Sequence, residues 1–234
     1  MDLNQYIPSR LTILLRRIYF YLAGEKFYKK LNYDWHQYHN RFEIINKIIK
    51  KKKYKTYLEI GCQADVNFSK IQIDKRVGVD PHDGGTHRMT SDFFFQNNND
   101  SFDIIFIDGL HEYEQVLRDI KNSVKFLNKD GIIVVHDCLP SKIWHQTIPQ
   151  THSSWNGDVW KAIVECRTFD YLDTYTCIAD HGLGIIFNRK NKNRLDLELK
   201  NFKELKFRDY YENHKKFMNT ISENDLFNLI ENEI

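Results

Sequence analysis

From Tyr54 onward the chain alternates short apolar runs with stretches of helical periodicity, and this alternation restricts the fold more than any other feature. It is the pattern of βαβ units wound around a parallel sheet. Strands are expected at Thr56–Ile60, Arg76–Val79, Asp103–Ile107 and Gly131–His136, with a weaker one near His87–Thr90. Helices are expected at Val66–Ile71, Glu112–Leu127 and Asp158–Phe169. Thr174–Ala179 and Leu183–Asn188 flank the turn-rich Asp180-His181-Gly182 and read as an antiparallel hairpin. The fold class is therefore α/β, a doubly wound, mostly parallel, seven-stranded sheet. Residues 54–189 form the sheet domain, 1–53 a helical N-terminal extension and 190–234 a helical tail, in which Ser222 and Asp225 resemble a capping pair.

In the extension, Leu11, Leu14, Leu15, Ile18 and Leu22 recur at helical spacing, and Arg10, Arg17, Lys26, Lys29 and Lys30 make the remainder basic. Such a stripe needs a partner. The domain itself, a second subunit or the anionic inner face of a membrane would each serve. A second helix, about Trp35 to Ile49, ends in the run Lys50 to Lys53, where cations favour the helix C-terminus.

Lys and Arg number 34 against 32 Asp and Glu, a balance that argues against a nucleic-acid binder and for a small or neutral substrate. Cys62, Cys138, Cys166 and Cys177 form no CxxC pair and read as reduced thiols. The first residues lack a signal-peptide pattern, and Arg16 and Arg17 interrupt the most apolar N-terminal stretch, so a cytoplasmic location is expected.

The chemistry gathers at strand ends. The first strand closes in Glu59-Ile60-Gly61-Cys62, and the second, about 17 residues past that turn, in Val79-Asp80. A glycine there lets the backbone turn beside a ligand, and the acid can accept both ribose hydroxyls of an adenosine. A dinucleotide would require a G-x-G-x-x-G loop for its pyrophosphate. Gln63, Ala64 and Asp65 stand in that loop instead, which favours a phosphate-free sulfonium cofactor, S-adenosylmethionine, over NAD. Two further strands end in Asp108-Gly109-Leu110-His111 and His136-Asp137. If these strands are neighbours about 4.8 Å apart, their acids and histidines converge on one point. That suits a divalent metal or a general base with an orienting acid. Trp155-Asn156-Gly157-Asp158 follows and offers aromatic and polar contacts to a sugar; helix capping by Asp158, with Trp160 in the core, is the competing assignment.

The series YLEIGC, VGVDP, GGTHRMTSDFFF, FDIIFIDGLHEYEQVLRDI, LNKDGIIVVHDC and WNGDVWKA resembles a bacterial family of class I methyltransferases (the methyltransferase domain 24 type) associated with surface polysaccharide synthesis. It is more distantly similar to metal-dependent O-methyltransferases of macrolide sugars. The resemblance spans about Tyr54 to Asn188, with DGLHEY and HDC its most specific parts. It implies that Glu59, Gly61 and Asp80 bind the cofactor, with Ser91 and Asp92 near the adenine. It further implies that Asp108 and Asp137 hold Mg²⁺ or another divalent cation and that His111 is the base. His136 stands where those relatives carry an acid. The resulting expectation is O-methylation of a sugar hydroxyl, with His111, Asp108, His136 and Asp137 as the catalytic group. Asp108 also belongs to the cofactor set, Asp108, His136 and Asp137 form the metal set, and Trp155, Asn156 and Asp158 contact the acceptor. A silent nucleotide-binding scaffold of a glycan-assembly complex and a metal-dependent hydrolase are the competing readings.

Overall fold

Alternate residues of each central strand serve two cores on opposite faces of one sheet, which is the packing that strand geometry dictates when helices cover both sides. In the computed structural model, which describes residues 9–231, Leu58, Ile60, Ile105, Ile107, Ile133 and Val135 point into one core. Tyr57, Ile104, Phe106, Ile132 and Val134 point into the other. The strands are β1 (Thr56–Ile60), β2 (Lys75–Val79), β3 (Phe102–Ile107), β4 (Leu127–Val135), β5 (Leu172–Cys177), β6 (Leu183–Asn188) and β7 (Thr220–Ile221). Their order in the sheet is β2-β1-β3-β4-β6-β5-β7, with β6 alone running against the others. This is a doubly wound, Rossmann-like arrangement. The chain leaves β1 on one side for β2 and returns on the other for β3, so a switch point lies at the ends of β1 and β3, where open α/β sheets bind ligands.

The helices are α1 (Arg10–Ala23), α2 (Arg41–Lys52), α3 (Ser91–Asn97), α4 (Tyr113–Lys125), α5 (Val159–Cys166), α6 (Phe207–Met218) and α7 (Glu223–Glu231). The expected second helix is split. Trp35–Gln37 forms a single 3-10 turn, and α2 begins only at Arg41 because Asn40 and Glu43 make a reciprocal capping box. Ile44, Ile45, Ile48 and Ile49 of α2 are buried against the sheet, each contributing about 1.5–3 kcal/mol. The extension thus shares the core of the sheet domain. The tail does so too, since Leu226 and Ile230 of α7 enter the same core and β7 pairs with β5. Ser222 and Asp225 do form the expected capping pair, Ser222 Oγ accepting from the Asp225 amide at 3.1 Å.

Two expected elements do not form. Near His87–Thr90 there is one bridge, Val79 to His87, after which Thr90 accepts from the Phe93 amide and starts α3. The seventh strand of the sheet is therefore β7 from the tail. After Gly61, Val66–Ile71 yields only a 3-10 turn at Phe68–Lys70. Gln63 and Asp65 adopt positive φ, and the Asn67 amide is drawn inward to Glu59, so these residues wall a cavity instead of extending a helix. All four cysteines are buried free thiols. Among the described residues, no helix is long and apolar enough to cross a membrane.

Candidate active site

Gly61 takes φ +90°, and a Cβ there would lie 2.2 Å from the Asp108 carbonyl oxygen, so only glycine lets the ends of β1 and β3 approach this closely. The approach opens a cavity of about 190 Å³ at the switch point. Glu59, Gly61, Asp108, His111, His136 and Asp137 line it, together with Arg41 and Asn67. Asp80, Ser91, Asp92, Trp155, Asn156 and Asp158 lie outside that lining.

The acids and histidines converge as the strand order requires. His136 Nδ1 donates to Asp108 Oδ1 at 3.0 Å and lies 3.5 Å from Asp137 Oδ2. His111 Nε2 donates to Asp108 Oδ1 at 3.2 Å, and its Nδ1 lies 3.3 Å from both Asp137 Oδ2 and the Trp155 carbonyl. Burial pulls the His136 imidazole toward neutrality, but the Asp108 and Asp137 carboxylates outweigh it and hold its pKa well above the usual histidine value. For Asp108 burial acts upward, and His136 and His111 overcome it, leaving the carboxyl far below the ordinary range. His111 is raised in the same way as His136, its contact with Asp108 and the charge of Asp137 overriding desolvation.

Two partners come from parts of the chain where the sequence shows no catalytic pattern. Arg41, at the start of α2, places Nε 3.7 Å from Asp108 Oδ2. Asp180, in the β5–β6 turn, accepts from the Arg41 amide at 2.7 Å and sets Oδ1 3.7 Å from His136 Nε2. Their only signals were the Asn40-x-x-Glu43 capping box, which fixes Arg41 at the first helical position, and a tight turn beside the strand that pairs with β4.

On the other wall, Glu59 is buried and accepts hydrogen bonds from the Tyr57 hydroxyl and, at 2.8 Å, the Asn67 amide. Burial raises its pKa to about 7, against the pull of those two donors. The Asn67 carbonyl oxygen has no hydrogen-bond partner and is buried in the same wall. A carboxylate beside an unpartnered carbonyl suits the α-ammonium group of a methionine-like ligand, which donates to both.

Asp80 is buried just outside the cavity lining. Its Oδ2 accepts from the Gln63 amide at 2.9 Å and its Oδ1 from the His82 and Asp83 amides at 2.7 and 3.0 Å, so it ties together the two loops that close this end of the cleft. Ser91 and Asp92 meet Gln115 of α4. The Trp155 ring stacks on His111 at 5.2 Å, and the Asn156 amide donates to Asp137 Oδ1 at 2.7 Å. These two residues orient the cluster from behind. Gly157 takes φ +60°, and a Cβ there would meet the His111 carbonyl oxygen at 1.7 Å, which explains the glycine in that segment. Asp158 accepts from the Tyr113 amide at 2.7 Å, capping α4 from a distance, while Trp160 is fully buried. The Asp158 carboxylate thus holds α4 and the adjoining Lys161, 3.3 Å away.

Asp108, His111 and Asp137 each turn one ligand atom to within 4.8 Å of the others, and two carboxylates with an imidazole suit a divalent cation. The set has His111 where His136 was expected.

The family described as a methyltransferase domain matches residues 33–138. Uncharacterized protein R132 of Acanthamoeba polyphaga mimivirus is 26% identical over 142 residues, covering 47% of this chain; the chain spans 64% of that protein's length. Among solved structures, the SAH-bound methyltransferase PaMTH1 of Podospora anserina is similar at TM-score 0.49 and 12% identity, over 80% of this chain and 99% of that one. The SAH-bound O-methyltransferase of Bacillus cereus is similar at TM-score 0.46 and 10% identity, over 78% and 92%. The family match over residues 33–138 covers β1 to β4 and, with them, the glycine turn at the switch point of a doubly wound sheet.

Proposed function

We propose that the chain transfers the methyl group of S-adenosylmethionine to an oxygen, a hydroxyl of a sugar in a glycan or an activated precursor. The observation that carries this reading is His111 held between Asp108 and Asp137 on the cavity that Glu59 and Gly61 also line. Glu59 and the Asn67 carbonyl would receive the cofactor's ammonium group. Methyl transfer is an in-line displacement, so the acceptor oxygen must be aligned with the sulfonium methyl and lose its proton. The two carboxylates raise the proton affinity of His111, which is what abstraction from a weakly acidic hydroxyl requires. His136 and Arg41 offset part of the charge of Asp108. A divalent cation bound by the Asp108 and Asp137 carboxylates would act as a Lewis acid toward the acceptor oxygen and leave the His111 imidazole to take the proton.

Calorimetry with S-adenosylmethionine, followed by methyl transfer to a panel of nucleotide sugars and short glycans with and without EDTA, tests the proposal. The expected outcome is cofactor binding and methylation of at least one sugar. His111→Ala should cut turnover by about 10²–10⁴ and leave cofactor affinity unchanged. Absence of cofactor binding overturns methyl transfer; full turnover in His111→Ala overturns the base; indifference to EDTA removes the metal.

A further inference from the structure

Helix α1 presents its apolar face outward. Leu11, Leu14, Leu15, Ile18 and Leu22 form one stripe, 48–71% exposed, and no residue of the helix is buried. It is attached to the domain through polar groups instead: Arg16 Nη1 donates to the Gln150 carbonyl at 3.2 Å and Arg17 Nε to the Thr151 carbonyl at 2.7 Å. An amphipathic helix fixed by its arginines, with its leucines in water, leaves several apolar side chains without the burial that would repay their exposure.

We propose that this stripe is a docking surface for an anionic phospholipid membrane. Charge is the first argument. Residues 10–30 hold six lysines and arginines and one acid, Glu25, whereas the whole chain is only +2, so the rest of the molecule is net negative. Glu25 is turned inward, where its carboxylate accepts the Phe207 and Arg208 amides at the start of α6. With Arg16 and Arg17 taken up by the domain, Arg10, Lys26, Lys29 and Lys30 are the exposed cations left for an anionic surface, each worth about fivefold in partition. Side-chain type is the second argument, because Tyr19, Tyr21 and Tyr28 are exposed along the same stretch and an amphipathic ring favours the headgroup level. The third is the surface around the helix. A groove of about 330 Å³ between α1 and Trp144, lined by Ile18, Tyr21 and Leu22 with Arg17 at its rim, continues the apolar face.

A second copy fits less well. At 1.5 Å per residue the helix is about 21 Å long, too short to span a bilayer and too small to supply the roughly 800 Å² per partner of a stable dimer. Pairing two such faces would also set one cluster of cations against another. A helix of this kind lies in the plane of the interface.

Co-sedimentation of the full chain with vesicles of phosphatidylglycerol and phosphatidylcholine, compared with phosphatidylcholine alone, tests this. The protein is expected to partition to the anionic vesicles, at least tenfold less to neutral ones, and to be released by high salt, which screens the charges. The double variant Leu15→Glu, Ile18→Glu, both positions being exposed, should lose about tenfold or more in partition with an unchanged Tm. Lys29→Gln with Lys30→Gln should lose about tenfold or more. Equal binding to neutral vesicles, no binding to either, or a dimer in light scattering that the glutamate variant converts to a monomer would each overturn the proposal.

Discussion

Arg41 grips Asp180 twice across 139 residues of sequence: its amide lies 2.7 Å and its Nη1 3.1 Å from the same carboxylate oxygen. The pair ties the start of α2 to the β5–β6 turn, and through Asp108 and His136 it closes the ring of charges around the cavity. Removing Arg41 leaves two half-buried carboxylates with less compensation. Arg41→Met and Asp180→Asn should each destabilise by about 1–3 kcal/mol in urea unfolding. The double variant should lose less than the sum, with a coupling of about 1 kcal/mol or more. Strict additivity would show that the two groups do not act together.

Asp80 separates a direct role in cofactor binding from an indirect one. Its carboxylate already accepts three amide hydrogens, and hydrogen bonds to a charged group are worth about 1.5–3 kcal/mol each. Asp80→Ala should lower Tm by several degrees and weaken S-adenosylmethionine binding tenfold or more, because the Gln63 loop and the His82–Asp83 turn lose their common anchor. An affinity loss with an unchanged Tm would make Asp80 a ribose ligand and nothing else. Unchanged affinity would remove it from the site.

Glu59 predicts a pH dependence of stability with a definite sign. Its carboxyl titrates at 4.5 when unfolded and at about 7 in the folded chain, so the folded state holds the extra proton between those values. Stability from this group is therefore complete below about pH 4.5 and falls as pH rises to about 7, by about 3 kcal/mol at 1.36 kcal/mol per pH unit. Glu59→Gln keeps an acceptor for Tyr57 and Asn67 but cannot ionise. Without cofactor it should match the parent near pH 4.5 and melt several degrees higher at pH 8, while binding S-adenosylmethionine more weakly. Parallel melting curves across pH would sink this assignment.

How much of the site can be read from the sequence depends on what positions each residue. Glu59, Asp108, His136 and Asp137 end strands whose period-two or continuous apolar character is unmistakable, and α/β sheets collect ligand groups at those ends. Arg41 and Asp180 escape the same reasoning because a capping box and a hairpin turn deliver them, and neither signal says what lies opposite. Asp80 and Asp158 illustrate the converse. Both stand where a ligand contact is reasonable from sequence, yet a carboxylate is also the best acceptor for orphan backbone amides, and each has such amides as partners in the fold. The fold was legible down to its strand boundaries at β1 and β6. The missing strand near His87 was not, since a single bridge and a strand share the same local pattern.

That missing strand has a consequence for how the molecule meets others of its kind. With no neighbour beyond β2, one side of the sheet would offer a ladder of free amides and carbonyls, the template on which foreign strands stack into fibres. The chain blunts it locally. The Thr86 and His87 amides bind the Gly78 carbonyl, folding the 80–87 loop over one half of the margin, while Lys75 and Arg76 charge the other half. At the opposite margin β7 is only two residues long. Both flanks of the sheet are thus poor seeds for aggregation.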